Sequence, residues 1–201
     1  MNRSVLLVGP AVKADNFADF LVEAKSNPGE MTFGSAGNGS TPHLCGELLK
    51  LRTGIKARHI PFKGAGPALM ALVGGQVSFQ FENISAAIPQ IQGGKVRALG
   101  VTSAERLEVL PDVPTIQELG IPDFVIGSWY GLSAPAGVAA DAVQVLADAT
   151  MTVLNDPAAQ KQLAALGWHL STLAPSAYKA FIASEIERWA PIIKASGARV
   201  D

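Results

Sequence analysis

Hydrophobic positions along this chain fall into two alternating textures. Short runs rich in β-branched and aromatic residues, at Val5–Val8, Met31–Ser35, Ala57–Phe62, Val77–Phe81 and Val96–Thr102, alternate with stretches whose apolar residues recur every three or four positions. The first texture predicts strands and the second amphipathic helices. Asn16–Lys25 places Phe17, Phe20, Leu21 and Ala24 on one helical face and stops at Asn27-Pro28-Gly29. Further helices are predicted from Pro42 to Gly54, Pro67 to Val73 and Ser85 to Gln92, each closed by glycine. Strands separated by helices of this length predict an α/β fold with parallel pairing through right-handed crossovers.

The texture then changes. After Pro111-Asp112-Val113-Pro114 and a short helix to Gly120, Ser128–Ala134 reads as one more strand, closed by Pro135-Ala136-Gly137. Three helices follow with no strand between them: Ala139–Leu154, Ala158–Leu166, and Pro175–Ser196 with Tyr178, Phe181, Ile182, Ile186, Trp189 and Ile193. This shift from βα alternation to consecutive helices marks a boundary near Gly127.

Composition narrows the function classes. The chain has 201 residues, 48% of them hydrophobic and 16% charged, enough for one or two modest cores and too apolar for disorder. A net charge of −1 with singly scattered basic residues argues against a nucleic-acid partner, which requires a concentrated cationic face. No apolar run is long enough to span a bilayer, and Val5–Val8 after Asn2-Arg3-Ser4 is too short for the apolar core of an export signal. The single cysteine, Cys45, falls inside a predicted helix and reads as a buried thiol.

The candidate chemistry lies at strand ends. Gly34-Ser35-Ala36-Gly37-Asn38-Gly39-Ser40-Thr41-Pro42-His43 ends a predicted strand and opens a predicted helix, with Thr41 suited to the N-cap and Pro42 to the first helical position. Glycines let bare amides approach a ligand, and the positive end of the helix dipole favours a carboxylate or phosphate. A plain turn accounts for the same residue types. In open sheets, sites form beyond the carboxyl ends of parallel strands, which adds the loops at Lys63 and at Glu82-Asn83. Lys63 can attract an anion at long range, Asn83 can donate and accept, and His43 can donate to a carboxylate in one tautomer or bond a neighbouring backbone group. Glu82 would repel an anion unless it meets a donor.

Catalytic and metal constellations find little support. His43, His59 and His169 do not stand at metal-ligand spacings, so neither a metal nor a cofactor is expected. Gly37-x-Gly39-x-x-Pro42 falls one glycine short of a dinucleotide fingerprint, and the next strand ends in Arg58, His59 and Pro61 rather than an acid. A dinucleotide-dependent enzyme is therefore the alternative reading, not the favoured one.

The segments Ser35–Leu44, Pro61-Phe62-Lys63-Gly64, Gly74-Gly75-Gln76-Val77, Phe81-Glu82-Asn83, Gly94–Leu99, Val101–Ala104, Leu110–Thr115 and Trp129–Gly137 together resemble the Bug-type substrate-binding receptors of tripartite tricarboxylate transporters. The resemblance runs along nearly the whole chain from Val5. It implies a periplasmic-binding-protein-like clamshell of type II that captures a dicarboxylate, tricarboxylate or aromatic carboxylate in the periplasm and delivers it to membrane transporter subunits. It also implies that Ser35, Gly37, Asn38, Gly39, Ser40, Thr41, His43, Lys63, Glu82 and Asn83 form one wall of the ligand cleft. The family usually has Asp where Glu82 stands.

By the same resemblance, residues 11–127 form the ligand-binding second lobe. Residues 1–10 and 128–201 then supply hinge strands, near Leu6–Pro10 and Ser128–Pro135, and the C-terminal helices of an incomplete first lobe. Apolar residues on those helices, Phe181, Trp189 and Ile193 among them, predict self-association. A folded lobe that does not hold ligand is the further alternative.

Overall fold

The computed structural model describes residues 2–165, 168 and 170–197; the predicted helix end at Leu166, and His169, fall outside them. The chain divides into two compact units, one built on Arg3–Gly127 and the other on Ser128–Ala190.

The first unit is a sheet covered by helices. β1 (Asn2–Val8) leads through α1 (Phe17–Ser26) to β2 (Thr32–Ser35), then α2 (Thr41–Thr53), β3 (Arg58–Pro61), α3 (Ala65–Val73), β4 (Phe79–Asn83), α4 (Ile84–Gln92) and β5 (Arg97–Val101). The strand order is β3-β2-β4-β1-β5, and the two-residue strand β6 (Gly127–Ser128) also pairs with β1. β2 runs parallel to β3 and β4, as the crossover lengths predict. β1 corrects that expectation, because it runs antiparallel to both β4 and β5. It lies between β4 and β5, which α4 joins, and α1 carries the chain from it to β2, which is not its neighbour, so this helix is not a crossover between paired parallel strands. Leu6–Val8, expected in a hinge strand, lie in this interior strand and are fully buried.

Packing follows the two faces of the sheet. On one face Phe33 and Phe79 stack with ring centroids 5.5 Å apart, and Phe20 meets Phe79 edge-on at 5.2 Å. On the other, Val5 and Leu7 pack with Leu69, Leu72, Ile84, Ala87 and Val101. Gly46 is required where α2 crosses β2: a Cβ there would lie 2.3 Å from the Phe33 ring. Two smaller expectations fail locally. Thr115–Gly120 forms turns rather than a helix, and the predicted strand at Ser128–Ala134 shrinks to β6. Beyond β6 the chain is exposed, with Tyr130 and Leu132 about two-thirds accessible, so no ladder holds it extended.

The second unit contains α5 (Ala140–Leu154), α6 (Pro157–Ala165) and most of α7 (Pro175–Ser196). Trp129 packs edge-on against Phe181 at 5.2 Å and Tyr178 at 6.0 Å, and its indole N–H donates to Glu185. Neither α5 nor α7 buries a residue fully; Val145, Val153, Ile186 and Ile193 are exposed, whereas Phe181 and Trp189 are half-buried.

Candidate anion site at three helix N-termini

Because β3, β2 and β4 are adjacent and parallel, their carboxyl ends fall on one edge of the sheet, and each is followed by a helix. The N-termini of α2, α3 and α4 therefore open at the same edge. All three lack a side-chain cap: Ser40, Gly64 and Asn83 hold the N-cap positions without a capping hydrogen bond. α1 is the contrast. It follows the antiparallel β1, begins at the opposite edge, and is capped by Asn16, whose side-chain oxygen accepts from Asp19 N–H at 2.9 Å. Three sets of backbone donors at one edge with no protein cap form a concentrated positive field for an anion.

The loop before α2 is set by its own side chains. Gly37 (φ 126°) and Gly39 (φ 74°) supply the positive-φ turns. Gly37 N–H donates to Ser35 Oγ at 3.1 Å, Ser40 Oγ donates to Gly37 carbonyl at 2.7 Å, and Gly39 N–H donates to His43 Nδ1 at 3.0 Å. Thr41, expected at the N-cap, is instead the first helical residue; Ser40 takes the cap but turns its hydroxyl back to Gly37. Pro42 has no N–H, and the first intrahelical bond runs from Leu44 N–H to Ser40 carbonyl. Among the described residues, the N–H groups of Asn38, Thr41 and His43 have no protein acceptor.

His43 is 4% exposed, and its Nδ1 is already an acceptor for Gly39. In the neutral ring the proton then resides on Nε2, which faces Glu47 Oε1 at 3.9 Å. The imidazole thus braces the loop, and its donating nitrogen points along α2. The same ring stacks on His59 at 3.8 Å, and Phe33 lies 4.9 Å from His59. His59 Nε2 is 2.6 Å from Ser35 Oγ. Burial holds both imidazoles below their ordinary range, His59 at about 4, where the neighbouring His43 and Lys50 add to the effect. The Ser35–His59 distance suits a nucleophile and base, but Ser35 is 1% exposed and its Oγ is also tied to Gly37 N–H, which makes the pair a fastening for the loop.

The remaining predicted residues are dispersed around this edge. Lys63 is exposed in the loop after β3, which Phe62 N–H ties to Ser35 carbonyl at 3.0 Å. Asn83 is half-buried at the head of α4. Glu82 is not at the surface: it is 1% exposed, with Oε1 accepting from Asn83 N–H at 2.8 Å and Oε2 from Gln80 Nε2 at 2.9 Å. Burial raises its carboxyl to about 7 against the pull of those two donors. His59 and Gln80 join the site although neither is among the residues expected to line it. Gln80 is concealed by alternation, since Ser78, Gln80 and Glu82 read as the solvent face of a strand; His59 lies in the strand predicted at Ala57–Phe62, and no spacing along the chain marks Ser35 or His43 as its partner.

Residues 1–198 match the model of the tripartite tricarboxylate transporter family receptors, TctC. The chain belongs to this family. It is similar to BugT of Bordetella pertussis, with 37% identity over 196 residues covering 98% of this chain and 60% of BugT. It therefore spans about three-fifths of that relative. Among solved structures, it is similar to an R. palustris protein with adipate (TM-score 0.90, 30% identity, 98% of this chain and 66% of that one). It also resembles the periplasmic binding protein BugD (0.88, 31%, 98% and 67%) and MatC from Rhodopseudomonas palustris with bound malate (0.85, 32%, 96% and 66%). The fold is accordingly that of the periplasmic binding proteins.

Proposed function

We propose that this chain carries the carboxylate-gripping part of a periplasmic solute receptor that delivers its ligand to the membrane subunits of a tripartite tricarboxylate transporter. The observation that carries this reading is the convergence of three uncapped helix N-termini on one sheet edge. The N–H groups of Asn38, Thr41 and His43 grip one carboxylate; Ser35, Gly37, Gly39 and Ser40 shape the loop that presents them. Asn83 adds a polar contact, and Lys63 supplies long-range attraction. Residues 11–127 act as the binding lobe, and residues 1–10 and 128–201 as hinge and remaining lobe. Family membership and the adipate and malate held by two structural relatives support a small carboxylate as ligand. The role is binding, since no step in it requires bond chemistry.

Isothermal titration of the folded chain with malate, adipate and citrate tests this. Saturable heat that Ser40→Ala weakens is the expected result. A folded chain that gives no heat with any of them contradicts the assignment and favours a lobe that does not bind by itself.

A further inference from the structure

A carboxylate buried beside an anion site poses an electrostatic problem, and β4 contains an arrangement suited to it. Glu82 occupies the penultimate position of the strand, next to the uncapped head of α4. Its register partner on β1 is Val5, with Leu7 and the charged Arg3 at the flanking same-face positions of that strand, and the cluster packed on this face adds the apolar Val101, Leu69, Leu72, Ile84 and Ala87. Its two hydrogen-bond donors are the Asn83 N–H and the Gln80 amide, both neutral. Gln80 reaches forward two residues on the same strand face and holds the carboxyl within the sheet.

Gln80 is itself incompletely satisfied. Its Oε1 is buried without a hydrogen-bond partner and lies over Gly34, where an added Cβ would come within 2.9 Å of it. A primary amide can serve either form of a carboxyl group: its N–H donates to the carboxylate, and its oxygen accepts from the acid after a flip about the terminal torsion. The orphaned oxygen is the acceptor that a protonated Glu82 would need.

We infer that anion binding at the carboxyl ends of β2, β3 and β4 is coupled to protonation of Glu82, with Gln80 as the residue that positions its carboxyl for the exchange. The inference rests on the carboxylate reading above. The bound anion places a like charge near Glu82 and favours its neutral form; the proton comes from solvent and settles on Oε2, where Gln80 Oε1 accepts it. Glu82 already titrates near neutrality, so the exchange falls within an accessible pH range. Binding that moves the midpoint from about 7 to about 8 makes affinity about fivefold higher at pH 6 than at pH 8.

The test is calorimetric titration with malate, adipate and citrate at pH 6, 7 and 8, in buffers of different ionisation enthalpy, on the wild-type chain and on Glu82→Gln and Gln80→Met. The expected result is fractional proton uptake by the wild type at pH 7, none in Glu82→Gln, and weaker binding with an altered pH profile in Gln80→Met. Wild-type binding that takes up no proton, or uptake that persists in Glu82→Gln, overturns the coupling alone. No wild-type binding at any of the three pH values overturns the carboxylate reading together with the coupling.

Discussion

His43 and His59 lie face to face, with ring centroids 3.8 Å apart and planes inclined by 13°, and each holds a different strut of the same loop. His43 Nδ1 accepts the Gly39 N–H, and His59 Nε2 contacts the Ser35 hydroxyl that accepts the Gly37 N–H. His43 is buried and His59 half-buried, and two imidazoles stacked face to face tolerate charge poorly, so the stack depends on neutrality.

Its pH dependence follows from that neutrality. His59 titrates at about 4 in the folded chain against an ordinary 6.5, so its contribution is present above pH 6.5 and is lost as pH falls through 4. Urea midpoints measured from pH 4 to 7 should fall with decreasing pH more steeply in the wild type than in His59→Gln, which keeps a polar contact to Ser35 without titrating. Parallel curves would show that the stack does not govern acid stability.

Glu82 acts with the opposite sign. Its folded value of about 7 lies above the ordinary 4.5, so its contribution is complete below pH 4.5 and is lost as pH rises through 7. Glu82→Gln should therefore be more stable than the wild type at pH 8, by up to about 3 kcal/mol, with little difference at pH 4.5. Unfolding at the two pH values checks this, and an equal difference at both would contradict it. Between pH 4.5 and 6.5 the Glu82 and His59 slopes oppose one another, so the single variants reveal what the wild type conceals.

Gly46→Ala probes the α2–β2 contact. Its Cβ would lie 2.3 Å from the Phe33 ring, which also supports His59, so backbone or ring must move. A loss of about 2 kcal/mol in urea unfolding is expected, with weaker ligand binding as the loop loses its support. Unchanged stability would mean that the helix shifts freely.

Gly37→Ala separates loop conformation from folding. At φ 126° an alanine is strained although no atom obstructs it closely, the nearest being Phe62 carbonyl oxygen at 3.6 Å. Carboxylate affinity should fall roughly 5- to 30-fold, corresponding to about 1–2 kcal/mol. Calorimetry measures the affinity and urea unfolding checks that the fold survives.

Much of the fold was legible because local pattern and tertiary structure agree. The glycine stops after α2, α3 and α4 and the β-branched runs between them place the elements of the first unit within a few residues. The direction of β1 is not legible because Val5–Val8 is apolar throughout, and a run buried on both faces has the pattern of a parallel-sheet strand even though β1 is antiparallel to both neighbours. The loop at Gly37–His43 was visible as an anion trap, but its internal wiring was not. Ser35 meets His59 across 24 residues, a pairing made by the parallel β2–β3 register rather than by any spacing along the chain. Glu82 shows the same limit, since an acid in an alternating strand reads as exposed until both faces are covered.

The proposed grip on a carboxylate rests on backbone N–H groups at the uncapped head of α2. Titrating the isotope-labelled chain with malate and with adipate, and following backbone amide resonances, tests it most directly. Saturable shifts are expected to be largest at Asn38, Thr41 and His43, with smaller ones at the heads of α3 and α4. Saturable binding whose largest shifts lie away from these three helix ends would contradict it.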